Sequence, residues 1–298
     1  MNLGYIGNLA HQLRLVRELP PRLVWAKVRK RLPWTDKARV RIDEVLHDPS
    51  QMRAGRMREF LDGNEALLES EIGWPRLDFN GRRVLEIGPG PLGGWGPLAI
   101  FRGAESYHGV DPDWIDGTLA DRRIETGYLR PVLDDLAAHF GGTMDFASFR
   151  ESLARRLHIA RGALDVASLP DAAEIVLSNS CLEHIADLDR SISALARLMA
   201  PSARFLHLVN FGNHRDKDWP FTRIYDMPPR QYRLRFGPHI NLARPSDVMA
   251  GFAKAGLNSV LVPVDRRPDL VEAVHPYWSE RYDRDELAIR TALVVSGG

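Results

Sequence analysis

The most constraining feature of this sequence is a short apolar run that ends in a cluster of glycines, RVLEIGPGPLGGW at residues 83–95. Val84, Leu85 and Ile87 are typical of a short parallel strand buried on both faces. The glycines break this run, and helix-compatible residues resume at Pro97. A strand, a glycine turn and a helix begin a βαβ unit, which presents bare backbone to a ligand at the carboxyl edge of a sheet.

Two classes of ligand use such a turn. Gly88, Gly90 and Gly93 match the G-x-G-x-x-G pattern of dinucleotide-binding proteins, although that pattern alone is weak. Pro89 and Pro91 lie between these glycines and have no N–H group, whereas a pyrophosphate needs backbone N–H donors. The prolines therefore favour a ligand other than a dinucleotide.

Two acidic residues refine this interpretation. Glu86 ends the predicted strand, where a carboxylate would repel a phosphate but could hold an ammonium group or lie near a sulfonium. Asp111 closes a second predicted strand, in a position suited to binding two ribose hydroxyls. Proteins that bind nicotinamide dinucleotides also need an acid at the position of Asp111. Only Glu86 and the prolines therefore distinguish the two classes of ligand.

At these residues the chain resembles the class I S-adenosylmethionine-dependent methyltransferases. The matching motifs run in the family's order: LEIGPG at 85–90, GVDP at 109–112, LDV at 164–166 with LP at 169–170, and LEH at 182–184. The resemblance covers roughly residues 80–298. It implies an α/β fold with a Rossmann-like, seven-stranded, mostly parallel sheet, helices on both faces, an antiparallel last pair of strands and a preceding helical cap. The alternative is a nucleotide-binding α/β domain for another cofactor.

The resemblance also implies a cofactor, S-adenosyl-L-methionine, and a product, S-adenosyl-L-homocysteine. It places Asp111 at the ribose, Trp114 against the adenine and Asp165 at the adenine amino group, with a loop or helix-capping aspartate as the alternative for Asp165. The expected cofactor-binding residues are Glu86, Gly88, Gly90, Asp111, Pro112, Trp114, Asp165, Val166, Asn179 and Ser180.

The predicted catalytic residues follow the fourth and fifth strands. His214 lies just past the fifth predicted strand, and an imidazole suits the deprotonation of a hydroxyl as the methyl group arrives. Asp216 could orient His214 or act as the base itself. His184 belongs to the family's Glu-His pair, although a histidine that only bonds to nearby backbone is the alternative. A metal site built from His214, Asp216 and Asp218 would have too few oxygen ligands for a hard ion, so we expect none.

The sequence predicts two regions. Residues 1–80 are predicted to form a helical extension, which is either a lid or a packing layer. Residues 81–298 are predicted to form the cofactor-binding domain. A helical insertion is expected at 114–160, because this connection is longer than one crossover helix needs. Arginines and aromatic residues alternate in 211–244, so this segment either caps a polar or anionic acceptor or packs its aromatic side chains in the core.

Charge and cysteine content limit the partners and the compartment. The net charge of the 298 residues is +1, which gives no global attraction to nucleic acid. Residues 1–40 carry nine Lys and Arg against Glu18 and Asp36, so a peripheral contact with a membrane or an anionic polymer is one option for this extension. The single cysteine, Cys181, fits a reducing cytoplasm, and no apolar run suggests a membrane span or signal peptide. The oligomeric state is left open.

The sequence thus predicts a methyltransferase that modifies a hydroxyl of a small polar acceptor, such as a sugar, a uronic or phenolic acid, or a natural-product intermediate in bacterial biosynthesis. Rival functions are N-methylation, an intramolecular alkyl transfer or cyclisation with the same cofactor, an NAD-binding oxidoreductase, and a binding module without activity.

Overall fold

A computed structural model describes residues 20–29, 37–164, 169, 172–214 and 218–297. Contacts divide these residues into two compact units. One holds the described residues up to Arg58 together with Ile115–Phe149, and the other holds Glu59–Trp114 together with the described residues from Arg150 onward.

The helices are α1 Pro21–Arg29, α2 Lys37–Leu46, α3 Arg56–Ile72, α4 Gly96–Phe101, α5 Arg130–Phe140, α6 Phe146–Arg156, α7 Leu188–Leu198, α8 Pro229–Phe236, α9 Pro245–Lys254, α10 Pro276–Ser279 and α11 Arg284–Leu287. The strands are β1 Arg83–Ile87, β2 Ser106–Asp111, β3 Leu157–Arg161, β4 Ala173–Asn179, β5 Met199–Asn210, β6 Ser259–Arg266 and β7 Ile289–Ser296. Short helical turns include Arg122–Ile124, the π-helical Glu125–Leu129 and the 3₁₀ turn Leu182–His184.

The second unit is built on a seven-stranded sheet in the order β3-β2-β1-β4-β5-β7-β6. Strands β3, β2, β1, β4 and β5 are parallel, and β7 runs antiparallel to both β5 and β6. The α/β class, the seven strands and the antiparallel last pair are therefore confirmed. The carboxyl ends of the parallel strands meet at one edge, called the carboxyl edge below.

Strand β1 lies in the interior of this sheet. It pairs with β2 on one side and β4 on the other, and every residue from Val84 to Ile87 is buried. Apolar side chains suit both faces of such a strand, but Glu86 is buried in the same run. The hydrogen bonds that make this burial possible are described with the site.

Strand β3 begins inside the range expected to be a helical insertion. Helices α5 and α6 fall within 114–160, but Leu157–Arg161 pairs in parallel with β2 and forms the sheet edge. Five residues with mixed burial give no clear alternation, so the pattern did not separate this strand from the helix before it.

The aromatic residues of 211–244 mostly enter a second core. Phe221, Tyr225 and Tyr232 are buried together with Trp278, whereas Trp219 is 52% exposed. Of the two roles considered for this segment, core packing accounts for these three side chains.

A buried arginine ties this second core to the end of β5. Arg244 is 1% exposed, and its guanidinium donates hydrogen bonds to the carbonyl of Phe211 at 3.0 Å and to the hydroxyl of Tyr225 at 2.9 Å. It also lies 5.6 Å from the ring centroids of both Tyr225 and Trp278. Carbonyl, hydroxyl and ring contacts thus replace the water that this charge loses.

Part of the basic N-terminal region is described. Helix α1 exposes Trp25 and Val28, while residues 1–19 and 30–36 lie outside the described residues. Within the part of the chain that is described, no helix combines the length and the apolar character needed to cross a bilayer.

Replacing the buried arginine should destabilise the fold. Arg244→Met leaves the Phe211 carbonyl and the Tyr225 hydroxyl without their donor, so we expect the free energy of unfolding to fall by about 3 kcal/mol. The matched control is Arg281→Met, which removes an exposed arginine that donates to the Tyr277 carbonyl, and it should cost less than about 1 kcal/mol. Urea denaturation measures both, and equal losses would contradict this account of Arg244.

Candidate active site

The glycine bend between β1 and α4 is shaped by two positions with different surroundings. Gly88 has φ +69°, and a Cβ atom there would lie 2.6 Å from the Cys181 sulfur. Gly90 has φ +70°, and a Cβ atom there would meet nothing within 4 Å. Glycine is therefore needed at position 88 for packing against Cys181, two positions after β4, whereas Gly90 leaves open space beside its backbone that a ligand can approach.

Pro89 has a packing role in the same bend. Its ring lies against Gly109 of β2, where an added Cβ would be 2.9 Å from the proline Cγ. A side chain at Gly109 would push the bend away from β2. The prolines thus shape the bend in addition to removing donors.

Glu86 lies beneath this bend and holds it. It is 1% exposed, and its carboxylate accepts the N–H of Trp95 at 2.8 Å and the hydroxyl of Tyr107 at 2.5 Å. A Cβ on Gly94 would overlap the same carboxylate. To bind an ammonium directly, Glu86 would have to leave these partners, so the arrangement favours an indirect role through the shape of the bend.

Burial also changes the acidity of Glu86. Loss of water raises its pKa to about 7, and the negative charge of Asp111 acts in the same direction. The hydrogen bonds from Tyr107 and Trp95 act in the opposite direction but do not cancel the effect of burial.

Asp111 lies at the carboxyl end of β2, next to the bend. Its carboxylate accepts the N–H of Gly90 at 2.9 Å and the N–H of Asp113 at 2.8 Å. Each oxygen keeps lone pairs that a ribose hydroxyl could use. Pro112 is exposed, whereas Trp114 is only 7% exposed.

Three predicted residues cannot be placed. Asp165, Val166 and Asp216 lie outside the described residues.

The end of β4 brings small residues to the carboxyl edge. Asn179 and Ser180 are half-buried, and Ser180 adopts φ +51° while its N–H bonds to the Leu208 carbonyl at 2.9 Å. Burial raises the pKa of the next residue, Cys181, to about 12, and the nearby carboxylates of Glu183, Asp111 and Glu86 act in the same direction. A thiol that resists ionisation is suited to packing and not to nucleophilic attack.

Two predicted histidines meet at this edge. The rings of His184 and His214 lie 4.7 Å apart between centroids. His214 Nε2 is 3.3 Å from Glu183 Oε1. Glu183 was missing from the predicted site residues, although the Glu-His pair at 183–184 contained the signal.

The turn that carries Glu183 and His184 is fixed by the segment before α9. The Asn241 side chain donates to the carbonyls of Leu182 at 2.8 Å and Ile185 at 3.0 Å. His184 Nδ1 lies 2.7 Å from the His239 carbonyl oxygen, which can only accept, so Nδ1 carries the proton. This leaves the Nε2 lone pair of His184 available.

The family profile described as a methyltransferase domain matches residues 52–262, most of the chain. The chain belongs to this methyltransferase family. Its cofactor is S-adenosylmethionine, and the NAD-binding alternative is set aside. The open side of Gly90, the acid at the end of β2 and the small residues after β4 fit a nucleoside with a cationic amino-acid end.

Two solved methyltransferase structures are similar to this chain. One is an S-adenosylmethionine-dependent methyltransferase from Mesorhizobium loti, with 17% identity, a TM-score of 0.45, and coverage of 79% of this chain and 98% of that chain. Another is a SAM-dependent methyltransferase from Aquifex aeolicus, with 12% identity, a TM-score of 0.43, and coverage of 84% and 94%. At these levels the neighbours say nothing about the acceptor. Comparison with curated protein sequences found no significant match.

The buried acid predicts a specific pH dependence. The Glu86 carboxyl titrates near 4.5 in the unfolded chain and near 7 in the folded protein. Between these values the unfolded chain releases a proton that the folded chain keeps, so stability falls as pH rises through this window. Glu86→Gln cannot titrate, and its stability relative to the natural chain should rise by about 3 kcal/mol between pH 4.5 and pH 7.5. Denaturant unfolding across this range measures the difference, which a pH-independent offset would contradict.

The glycine bend gives a matched pair of variants. Gly90 and Gly81 have φ values of +70° and +67°, and an added Cβ meets nothing within 4 Å at either position. Alanine should therefore strain both sites alike, by about 1 kcal/mol. Only Gly90→Ala should weaken S-adenosylhomocysteine binding, by about tenfold or more, because a methyl group enters the space beside the bend. Calorimetric titration tests this, and equal affinities for the two variants would show that the ligand does not approach Gly90.

Proposed function

We propose that this methyltransferase transfers the methyl group of S-adenosylmethionine to a hydroxyl of a small polar acceptor. The observation that carries the proposal is the approach of His214 Nε2 to within 3.3 Å of the Glu183 carboxylate, just past the carboxyl ends of β5 and β4. A histidine beside a buried carboxylate is suited to accept a proton from an acceptor hydroxyl, because the carboxylate stabilises the imidazolium that forms.

The bound cofactor supplies a methyl group that is already electrophilic, so the work of the chain is positioning. In the proposal, Gly88 and Gly90 let the methionine end approach the backbone, and Asp111 binds the ribose. Trp114 lies against the adenine. Glu86 keeps the bend in the shape that these contacts need.

The remaining predicted residues complete the proposed cofactor site. Asn179 and Ser180 would line the methionine end, because small residues allow close approach and offer backbone carbonyls. Pro112 would lie beside the nucleoside after Asp111. Asp165 and Val166 keep their proposed place at the adenine.

Three residues would act on the acceptor hydroxyl. His214 would remove the hydroxyl proton, and Asp216 would assist it. His184, held through its Nδ1 by the His239 carbonyl, would bind the acceptor through its free Nε2.

The charge around the histidines supports an anionic or strongly polar acceptor. Helix α8 precedes His239 and exposes Arg230, Arg233 and Arg235, and Arg233 donates to the Asn241 carbonyl at 3.0 Å. Guanidinium groups match carboxylates well. Uronic acids, phenolic acids and sugars of bacterial biosynthetic pathways are therefore the proposed acceptors.

The proposed location is the cytoplasm. The single cysteine and the supply of S-adenosylmethionine both fit this compartment. A peripheral contact of the basic N-terminal region with an anionic surface remains part of the proposal, supported by the exposed Trp25 and Val28 of α1.

The test is a transfer assay with labelled S-adenosylmethionine and panels of sugars, uronic acids and phenolic acids, with the product identified by mass spectrometry and NMR. We expect a methyl ether. A methylated nitrogen, or cofactor consumption without any methylated acceptor, would overturn the assignment to a hydroxyl.

His214→Ala should lower kcat by about 100-fold or more while S-adenosylhomocysteine affinity stays unchanged, because the variant loses proton acceptance and not cofactor contacts. The control is His158→Ala, since His158 lies in the middle of the edge strand β3 and not at its carboxyl end. Steady-state kinetics with the identified acceptor decide the result. Equal rates for the two variants would remove His214 from the mechanism.

A further inference from the structure

Glu183 is buried in an unusual way. It is 4% exposed, yet neither carboxylate oxygen accepts a hydrogen bond within the part of the chain that is described. Burying a carboxylate without a donor or a counter-charge is costly. A feature of this kind calls for a missing partner.

The other buried carboxylates of the described residues all have donors. Glu44 pairs with Arg41 at 3.0 Å, and Glu65 accepts the N–H of Leu77. Glu86 and Asp111 each accept two hydrogen bonds, as described above. Within the described ranges, Glu183 is therefore the exception.

Two imidazoles lie beside this carboxylate. Glu183, His184 and His214 each offer one ligand atom, and these three atoms lie within 4.8 Å of one another. Ligand atoms bound tetrahedrally at about 2.1 Å from one zinc ion lie roughly 3.4 Å apart. Small side-chain rotations would therefore bring the three atoms onto one ion.

The tautomer of His184 suits metal binding. Its Nδ1 donates to the His239 carbonyl at 2.7 Å, which leaves Nε2 with a lone pair and fixes the ring plane. Histidines that bind metals usually donate their other nitrogen to a carbonyl or carboxylate in this way. Asn241 supports the same turn by holding the carbonyls of Leu182 and Ile185.

We propose that Glu183, His184 and His214 bind a divalent transition-metal ion of the zinc type, with at least one coordination position open to an acceptor oxygen. Two imidazole nitrogens and one carboxylate favour a first-row transition metal over Mg²⁺ or Ca²⁺, which prefer sites made of oxygen ligands. Three protein ligands leave a position open, as in catalytic zinc sites.

The position of the proposed metal site, at the carboxyl edge and next to the glycine bend, suggests what a bound ion would do. The turn with Glu183 follows β4, His214 follows β5, and Cys181 touches the glycine bend at Gly88. A hydroxyl bound to the ion would lose its proton more readily. This use rests on the proposed function, whereas metal binding itself does not. With the ion bound, His214 acts as a ligand, the ion lowers the pKa of the bound acceptor hydroxyl, and the proton of that hydroxyl passes to solvent water.

Metal binding is tested on the full, untagged chain after removal of metal with a chelator. Calorimetric titration with Zn²⁺, Mn²⁺ and Mg²⁺ should show one equivalent bound, with Zn²⁺ bound most tightly. Glu183→Gln, His184→Ala and His214→Ala should each weaken Zn²⁺ binding by tenfold or more, and His158→Ala should leave it unchanged. Zn²⁺ binding that is absent, or equally tight in Glu183→Gln and the natural chain, would overturn the proposal.

Stability gives a second readout that does not depend on activity. Without metal, Glu183→Gln removes a buried charge that has no donor, so its melting temperature should equal or exceed that of the natural chain. With excess Zn²⁺ the order should reverse, because only the natural chain gains binding energy. Failure of the order to reverse would count against the site.

Chelation separates this proposal from the proposed function. If the ion activates the acceptor, removing it should lower methyl transfer while S-adenosylhomocysteine affinity stays intact, and Zn²⁺ or Mn²⁺ should restore the rate. Full activity after chelation would leave His214 as a base and overturn the use of the ion. Tight Zn²⁺ binding without methylation of any hydroxyl would support the site and contradict the proposed function.

Discussion

The glycine bend between β1 and α4 depends on one buried carboxylate. Glu86 lies in the interior strand β1 and accepts hydrogen bonds from Trp95, at the start of α4, and from Tyr107 on β2. These bonds join three elements beneath the glycine bend, and Gly94 leaves room for the carboxylate. The carboxylate oxygens of Glu86 are the hydrogen-bond acceptors that the bend requires, which explains an acid in the core. The same burial raises the pKa of Glu86.

Buried acids follow two patterns at the carboxyl edge. Glu86 and Asp111 are satisfied by donors, and these donors hold the backbone around the cofactor site. Glu183 is equally buried but has no donor among the described residues, and two histidines approach it. The carboxylates that have donors fix the shape of the site. The carboxylate of Glu183 keeps its charge available for a ligand, and the metal proposal therefore rests on it.

Residues 211–244, which follow β5, have a structural role that their composition did not reveal. Its aromatic residues pack with Trp278, and the buried Arg244 joins this second core to the Phe211 carbonyl at the end of β5. The same region also supports the carboxyl edge, since Asn241 and the His239 carbonyl fix the turn with Glu183 and His184. Packing and site geometry are therefore coupled in one segment.

The sequence by itself determined the α/β class, the methyltransferase family, the glycine bend and the acid that ends β2, because these depend on local patterns of glycine, proline and apolar residues. It left open whether the aromatic residues of 211–244 cap an acceptor or fill a core, and it missed the start of β3 at Leu157. Only the tertiary structure showed that Glu86 accepts hydrogen bonds from Trp95 and Tyr107, and only it brought Glu183 to His214, thirty-one positions along the chain. The physical reason is that a carboxylate's role follows from the donors around it, and those donors come from distant strands and turns that meet only in the folded chain.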